Sequence, residues 1–298
     1  MSELTKKVEQ AIKLLRLADA EAKNHEPIIT FDGDNRGGQV VNNQQVEISY
    51  SGGKDSDVIL HLAEMAGITH KAVYKATTID PSGTIAHARA NGAAVIFPKQ
   101  TFFQLIQTSG FPTRRARFCC EKLKEYKVND VAVQGIRKCE SRARMERYEE
   151  PTICRIYGSK KNHVNVFLPI LEWTDEDVKE FVEQEKIQCH PLYYDEHGHF
   201  HPERRLGCMC CPLMSTKRCR AEFKANPGFV KAWIRNGKIW WENRPNTRSH
   251  EVYGTIYNLF FYNVFCNDMN DYYRKTTGLF GNLDCKAYME DYFKIDLP

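Results

Sequence analysis

The residues best equipped for chemistry stand together at 49–57, Ser-Tyr-Ser-Gly-Gly-Lys-Asp-Ser-Asp. Gly52 and Gly53 let the backbone turn sharply and carry no side chain to hold an anion away from it. Unpaired N–H groups at the start of a following helix then point at that anion from the positive end of the helix dipole. Lys54 adds a full charge and Ser56 a hydroxyl, so Ser51, Gly52, Gly53, Lys54, Asp55 and Ser56 form a candidate polyphosphate loop. A Walker A loop requires Gly-x-x-x-x-Gly-Lys-Ser/Thr, and the residues before Lys54 do not supply it. A serine-glycine turn capping a core helix would share the glycines, but not the strand-loop-helix setting with Lys and Ser.

Sulfur is the second concentration of reactive groups. Cys119 and Cys120 are adjacent, Cys208 and Cys211 form a Cys-x-x-Cys pair with Cys210 between them, and Cys219 follows. Two such pairs can surround one metal centre, and thiolates suit an iron–sulfur cluster or zinc. Spacing alone leaves both open, together with simple packing of small thiols in a core. The alternating His197, His199 and His201 are likewise open to zinc ligation or to the polar edge of a strand.

These groups need elements to position them. Ser2 is placed to cap an amphipathic helix running to about Lys23, with Leu4, Val8, Ile12 and Leu15 on one stripe. Polar, glycine-containing residues 32–44 read as a loop before a strand at 45–50, and Val58, Ile59, Leu60, Leu62 and Met65 follow the glycines at helical spacing. Strands are predicted at 72–76 and 94–97, helices from about Gly83 and near 102–108, and further apolar runs lie at 131–134 and 164–168. Thr174 caps a helix with Asp175, Glu176 and Asp177 in its first turn. Residues 189–212 read as irregular, and the chain after Pro227 as aromatic and helical, including a stretch at 253–273 rich in Tyr and Phe that suits packing. Strand–helix alternation predicts an α/β fold with a doubly wound, mostly parallel sheet, whose ligands sit beyond the strand carboxyl ends.

A chain of 298 residues with 42% hydrophobic content suits one large α/β domain with an appended helical part, or two domains. No stretch approaches the roughly 18 apolar residues of a membrane span, and Met-Ser-Glu-Leu-Thr-Lys-Lys lacks an apolar signal core, so a cytoplasmic protein without a membrane partner is expected. Eleven cysteines, several of them crowded into Cys-Cys and Cys-x-Cys-Cys groups, in a reducing compartment favour metal over disulfides. A net charge of +4 is too mild to mark a nucleic-acid binder. Yet Arg114, Arg115, Arg117, Lys122 and Lys124 cluster, as do Arg137, Lys138, Arg142, Arg144 and Arg147; such groups suit a polyanion or a solvated basic face.

The run Ser-Gly-Gly-Lys-Asp-Ser at 51–56 resembles the pyrophosphate loop of the ATP pyrophosphatases, the adenine nucleotide alpha-hydrolase-like superfamily that contains the phosphoadenosine phosphosulfate (PAPS) reductase family. Arg-Phe-Cys-Cys-Glu-Lys-Leu-Lys at 117–124 and Leu-Gly-Cys-Met-Cys-Cys-Pro at 206–212 are similar to the cysteine pairs of the cluster-bearing adenylyl-sulfate reductases. Gln-Gly-Ile-Arg-Lys-Cys-Glu-Ser-Arg at 134–142, Pro-Ile-Leu-Glu-Trp-Thr-Asp-Glu-Asp-Val at 169–178 and Pro-Leu-Tyr-Tyr-Asp at 191–195 complete the family's order. The division expected is an N-terminal helix and lead-in at 1–44, a PAPS-reductase-like nucleotide-binding domain with its cysteine cluster at 45–220, and a helical, aromatic-rich extension at 221–298.

The resemblance implies a 4Fe-4S cluster on Cys119, Cys120, Cys208 and Cys211. A variant, closer to the DNA phosphorothioation sulfur-transfer relatives, uses one of the adjacent pair with Cys208, Cys211 and Cys219. Sulfonucleotide reductases generally carry an altered phosphate loop and a Glu-Cys-Gly-Leu-His tail. Here the loop is the intact ATP form and the tail reads Met-Glu-Asp-Tyr-Phe-Lys-Ile-Asp-Leu-Pro. Of the late thiols, Cys266 reads as structural and Cys285 as a candidate reactive group.

The leading expectation is therefore an ATP pyrophosphatase-type enzyme that binds ATP with Mg²⁺ and adenylylates an acceptor for sulfur transfer. Lys54, Asp55 and Arg137 would have catalytic roles, Asp55 or Asp80 would help hold Mg²⁺, and Gly135 and Arg137, with Arg142 or Arg144, would meet phosphate or acceptor. DNA, RNA or a small molecule could be the acceptor, and a cysteine desulfurase or thiol reductant the partner. The alternatives are a reductase of adenylyl sulfate or PAPS releasing sulfite, and a nucleotide- or nucleic-acid-binding component without turnover.

Overall fold

Val46, Glu47, Ile48 and Tyr50 are all buried on one five-residue strand, the burial required of a strand covered on both faces of a parallel sheet. A computed structural model of the chain describes residues 2–25, 28–30, 39–41, 44–158, 162–266 and 284–298. Its strands are β1 (Ile28–Thr30), β2 (Gln39–Val41), β3 (Val46–Tyr50), β4 (His70–Lys75), β5 (Ala94–Ile96), β6 (Val131–Val133), β7 (Thr152–Ile156) and β8 (His163–Phe167).

Six of these strands form one sheet in the order β5-β4-β3-β6-β8-β7. All neighbours are parallel except β7, which runs antiparallel to β8 at the edge. From β3 the chain winds outward through β4 to β5, then returns to the other side of β3 at β6. The strand order thus reverses between β3, where Ile48 pairs with Ala72 on one side, and β6, where Ile48 pairs with Val133 on the other. Such a reversal opens a crevice beyond the strand carboxyl ends, the usual ligand site of a doubly wound sheet.

The fold is α/β as predicted, with two differences in its strands. Gln39–Val41, within the predicted loop, pairs antiparallel with Ile28–Thr30, Ile28 opposite Val41 and Thr30 opposite Gln39. Thr152–Ile156, not anticipated, adds the antiparallel edge; its pattern of exposed and half-buried residues carries little apolar signal.

The chain divides into two units. The first, Met1–Ala76, Asp80–Phe97 and Glu125–Gly207, contains the strands with helices α1 (Glu3–Lys23), α2 (Lys54–Ala66), α3 (Thr84–Ala90), α6 (Arg142–Arg147) and α7 (Asp175–Gln184). Ser2 caps α1 by accepting the Thr5 N–H at 3.1 Å, and Thr174 with Asp177 makes a reciprocal capping box on α7. Lys7 of α1 reaches Asp177 of α7 at 2.6 Å.

The second unit, Thr77–Ile79, Pro98–Lys124 and Cys208–Pro298, is helical. It holds α4 (Phe102–Ser109), α5 (Phe118–Leu123), α8 (Thr216–Ala225), α9 (Pro227–Asn243), α10 (Arg248–Tyr253), α11 (Ile256–Phe260) and α12 (Cys285–Phe293). The late aromatic residues are its core: Phe102 packs on Trp233 with ring centroids 5.0 Å apart, and Phe223 meets Phe260 edge-on at 5.6 Å. The predicted aromatic stretch can be followed to Cys266; 267–273 lie outside the described residues. Among the described residues no helix is long and apolar enough to cross a membrane.

Candidate nucleotide site and cysteine group

The glycine loop lies between β3 and α2, at the point where the strand order reverses. Gly52 has φ +75°, and a Cβ there would stand 2.9 Å from Thr84 Cγ2, so both conformation and space require glycine. Gly53 has ordinary extended angles; its missing Cβ makes room for the Tyr193 hydroxyl, 3.1 Å from where that atom would be. The Ser51 hydroxyl accepts the Gly53 N–H at 3.3 Å, and the Ser56 hydroxyl donates to the Gly53 carbonyl at 2.7 Å. With glycine as its N-cap, α2 has no capping side chain, and its positive end faces the loop.

Lys54 is only 3% exposed. Its Nζ lies 3.0 Å from Asp55 Oδ2 and 5.6 Å above the centre of the Tyr193 ring, which leaves the ammonium little freedom. The Tyr193 hydroxyl takes the Leu206 N–H at 3.2 Å, and burial pushes its pKa up to about 12, so it stays a neutral phenol. A cavity of about 220 Å³ is lined by Ser51, Gly53, Lys54 and Ser56 of the loop and, among others, by Glu140, Arg144 and Arg205. Glu140 is paired with Arg144, and its carbonyl accepts from Arg205 at 2.8 Å. Burial, and then the neighbouring Arg205, lower the Arg144 pKa from its ordinary value.

Arg137 sits behind this lining. It is 1% exposed, and its guanidinium donates to Asp55 Oδ1 at 2.7 Å, to Asp175 Oδ1 at 2.7 Å and to the Trp173 carbonyl at 3.4 Å. Burial opposes its charge, but Asp55 and Asp175 hold its pKa above the ordinary arginine value. Both oxygens of Asp55 therefore already hold cations, Arg137 on one and Lys54 on the other. Gly135 fits against Asp55, with the position of a Cβ only 3.0 Å from Asp55 Cβ and 3.1 Å from its backbone carbon.

The structure thus brings together Ser51, Gly52, Gly53, Lys54, Asp55, Ser56, Gly135 and Arg137. It does not bring Arg142 to them: that side chain is exposed and pairs with Glu146 at 2.8 Å, while Arg144, two residues on, lines the cavity. Asp80 is half-buried after β4 and does not line the cavity. Tyr193, Arg205 and Glu140 were not singled out from the sequence as site residues. Pro-Leu-Tyr-Tyr-Asp and Glu-Ser marked their segments, but only tertiary packing shows which side chains face the loop.

A buried polar group adjoins the loop on the α3 side. Asp57, 3% exposed, accepts from the Tyr50 hydroxyl and faces His87 Nε2 at 3.1 and 3.2 Å from its two oxygens. Burial raises its pKa against the opposing effect of His87, Tyr50 and the Cys189 thiol. The His87 ring meets that of buried His190 edge-on at 5.6 Å, and His190 Nδ1 accepts the Leu192 N–H at 3.2 Å.

All eleven cysteines are described, and none forms a disulfide. In the second unit Cys119, Cys120, Cys208 and Cys211 share one neighbourhood. The Cys119 pKa is driven up first by its hydrogen bond to Cys120, then by burial and by the charges that Cys120, Cys211 and Cys208 would carry. Burial and Cys208 push the Cys211 thiol up to about 11. Two of these half-buried thiols, Cys119 and Cys211, resist ionising, which suits a centre that supplies compensating positive charge. Among the described residues no three such side chains converge to hold a single metal ion. A cuboidal cluster takes each thiolate at a different iron, so its ligands surround the cluster rather than a single ion.

Cys219 is buried against the Cys210 carbonyl, with Glu222 and Cys211 near it. Cys210 itself has φ +53°, and its N–H is held by Glu222 at 2.8 Å. Cys266 and Cys285 are buried, at 5% and 1% exposure. The alternating histidines are engaged by carboxylates: His199 and His201 both reach Asp195 Oδ2, at 3.1 and 3.2 Å.

Residues 45–214, more than half of the chain, match the family profile of the phosphoadenosine phosphosulfate reductase domain. An uncharacterized protein of Methanocaldococcus jannaschii is 30% identical over 205 residues, which cover 64% of this chain and 47% of that protein. An uncharacterized protein of Escherichia phage 186 is 32% identical over 126 residues, 37% of this chain and 34% of the other. The chain spans half or less of the length of these curated relatives. Among solved structures, the PAPS reductase of Candida auris in complex with phosphate is similar at TM-score 0.40 and 14% identity, covering 70% of this chain and 96% of that one. The U34-tRNA thiolase NcsA of Methanococcus maripaludis, with its [4Fe-4S] cluster, is similar at TM-score 0.35 and 13% identity, covering 78% and 79%. Likenesses of this size bear on neither substrate nor mechanism.

Proposed function

Because the chain belongs to the phosphoadenosine phosphosulfate reductase domain family, we propose that it binds MgATP at 51–56 and transfers the adenylyl group to an acceptor that then receives sulfur. One observation carries this reading: the buried Lys54 and the glycine loop line a cavity, together with Arg144 and Arg205, where the strand order reverses. That is a setting for a polyphosphate. Magnesium enters with ATP as part of the substrate, since both Asp55 oxygens are engaged by the protein's own cations.

In this reaction an acceptor oxygen attacks the α-phosphorus, the bond to the bridging oxygen of the β-phosphate breaks, and pyrophosphate leaves. Negative charge grows on the departing oxygen. Lys54 and the loop N–H groups stabilise it, and they are held in place beforehand by Asp55, Tyr193 and Ser51. Arg144 and Arg205 add positive charge that can move from Glu140 to phosphate. Arg137 is a positioning residue, fixing Asp55 and through it Lys54.

Adenylylation makes the acceptor oxygen a good leaving group, and a sulfur nucleophile then displaces AMP. Cys119, Cys120, Cys208 and Cys211 would hold a 4Fe-4S cluster, which when bound supplies soft iron and redox capacity for sulfur chemistry. The exposed Arg115, Arg117 and Lys122 of the second unit support a polyanionic acceptor such as a nucleic acid. In the alternative reading, a sulfonucleotide reductase, the nucleophile would come from an external thiol, because Cys285 is buried.

ATP labelled at the α- and γ-phosphates tests the proposal. The expected products are labelled AMP or an AMP-linked acceptor, with pyrophosphate. Release of ADP and phosphate would overturn it, and sulfite formed from adenylyl sulfate or PAPS would establish the reductase instead.

A further inference from the structure

We propose that Asp57 is the positioning residue of the phosphate loop, holding its two flanks together and setting the contacts that shape it. The inference rests on the reading of 51–56 as an ATP site. Tyr50 is the last residue of β3 and Asp57 stands in the first turn of α2, so their hydrogen bond spans the whole loop from entry to exit. From Asp57 two further connections return to the glycines. His87 links it to α3, whose Thr84 packs on Gly52. Cys189 links it to the segment that carries His190 and Tyr193, whose hydroxyl rests on Gly53.

Thr84 and Tyr193, the nearest side chains to the two glycines, therefore both lead back to one carboxylate. A buried carboxylate is costly to keep, and apolar packing between α2 and α3 could be met without it. Tyr50, His87 and Cys189 help to offset that cost, and these groups have no other role in the chemistry above. Asp57 touches no substrate atom in this scheme; it acts through the loop.

The test uses the full chain with Asp57→Asn and, because a buried substitution can impair folding, Tyr50→Phe, which removes one donor only. Loss of a hydrogen bond to a charged group predicts an ATP dissociation constant raised by about tenfold or more in Asp57→Asn, with a smaller rise in Tyr50→Phe. In the nucleotide-free protein, amide exchange across 51–56 should quicken in both variants while exchange in α1 and β8 is unchanged. A purely structural role would lower the melting temperature and leave ATP affinity of the folded protein and local exchange as in wild type, which would sink the proposal. If wild type binds no ATP, the proposed function falls, and the exchange measurement still decides the role of Asp57. If ATP binds without pyrophosphate release, only the turnover reading falls.

Discussion

Arg137 Nε lies 2.7 Å from Asp55 Oδ1 although the two residues are 82 positions apart in the chain. The bond joins the turn after β6 to the first turn of α2 and so ties the segment containing Gly135 to the glycine loop. Asp55→Asn leaves the buried guanidinium short of a charged partner, and breaking a buried pair from one side costs about 3 kcal/mol. Urea unfolding should show a midpoint well below wild type. Arg137→Met, which leaves Asp55 with Lys54 and keeps an apolar stem in place, should cost less.

Gly135→Ala should destabilise by about 1–3 kcal/mol through overpacking against Asp55. Its Cβ would press on backbone as well as on a side chain, so the start of α2 must shift. ATP affinity should fall with stability, measured by calorimetric titration beside a thermal melt; an unchanged affinity would show that α2 does not feel position 135.

Lys54→Ala should reduce pyrophosphate release about a hundredfold or more, the scale for removing one preorganised charge at a developing anion. Iron content of anaerobically purified protein should not change. Lys54→Arg is not expected to restore activity, because a planar guanidinium does not fit the buried place above Tyr193 that the ammonium occupies.

Cys119→Ser, Cys120→Ser, Cys208→Ser and Cys211→Ser should each remove most iron and sulfide from protein purified without oxygen, whereas Cys210→Ser and Cys219→Ser should retain them. Equal loss in Cys219→Ser would assign the fourth ligand to Cys219 instead. Colourless, iron-free wild type would remove the cluster from the scheme.

The Lys7–Asp177 pair predicts a two-sided pH dependence for the docking of α1 on α7. Burial works to raise the Asp177 pKa, but hydrogen bonds from Lys7 and Thr174 hold it below the ordinary value. Its contribution is therefore full above the unfolded aspartate pKa and lost as pH falls through the lower folded one. The hydrogen bond to Asp177, against burial, raises the Lys7 pKa, so its contribution is full below the unfolded lysine pKa and lost as pH rises through the folded one. Stability of wild type and Lys7→Met, followed by circular dichroism, should differ near neutrality and converge in strong acid.

Much of this was legible because it is local. Ser2 and Thr174 announce their helices by capping chemistry, and the apolar run before Ser51 with helical spacing after Ser56 defines the loop without tertiary knowledge. The same holds for the parallel sheet, since alternation of strand and helix is a property of the chain order. Strand β7 was not legible: Thr-Ile-Cys-Arg-Ile is short, half exposed and flanked by charge, and only pairing with β8 makes it a strand. Which arginine faces the cavity was not legible either. Arg137, Arg142 and Arg144 look alike in sequence, and it is Asp55 and Asp175 that draw the first inward, Glu146 that keeps the second outside, and Glu140 that turns the third toward the cavity. Nothing in the sequence sets Asp57 apart from other acids at a helix start; Tyr50 and His87 converge on it only in the fold.

Gly53 is small for the sake of a phenol rather than for its own torsion angles. The two positions are therefore coupled: alanine at 53 asks the aromatic at 193 to give way, and a smaller residue at 193 relieves the crowding at 53. A library that randomises both at once should yield working combinations that no single-site scan would contain.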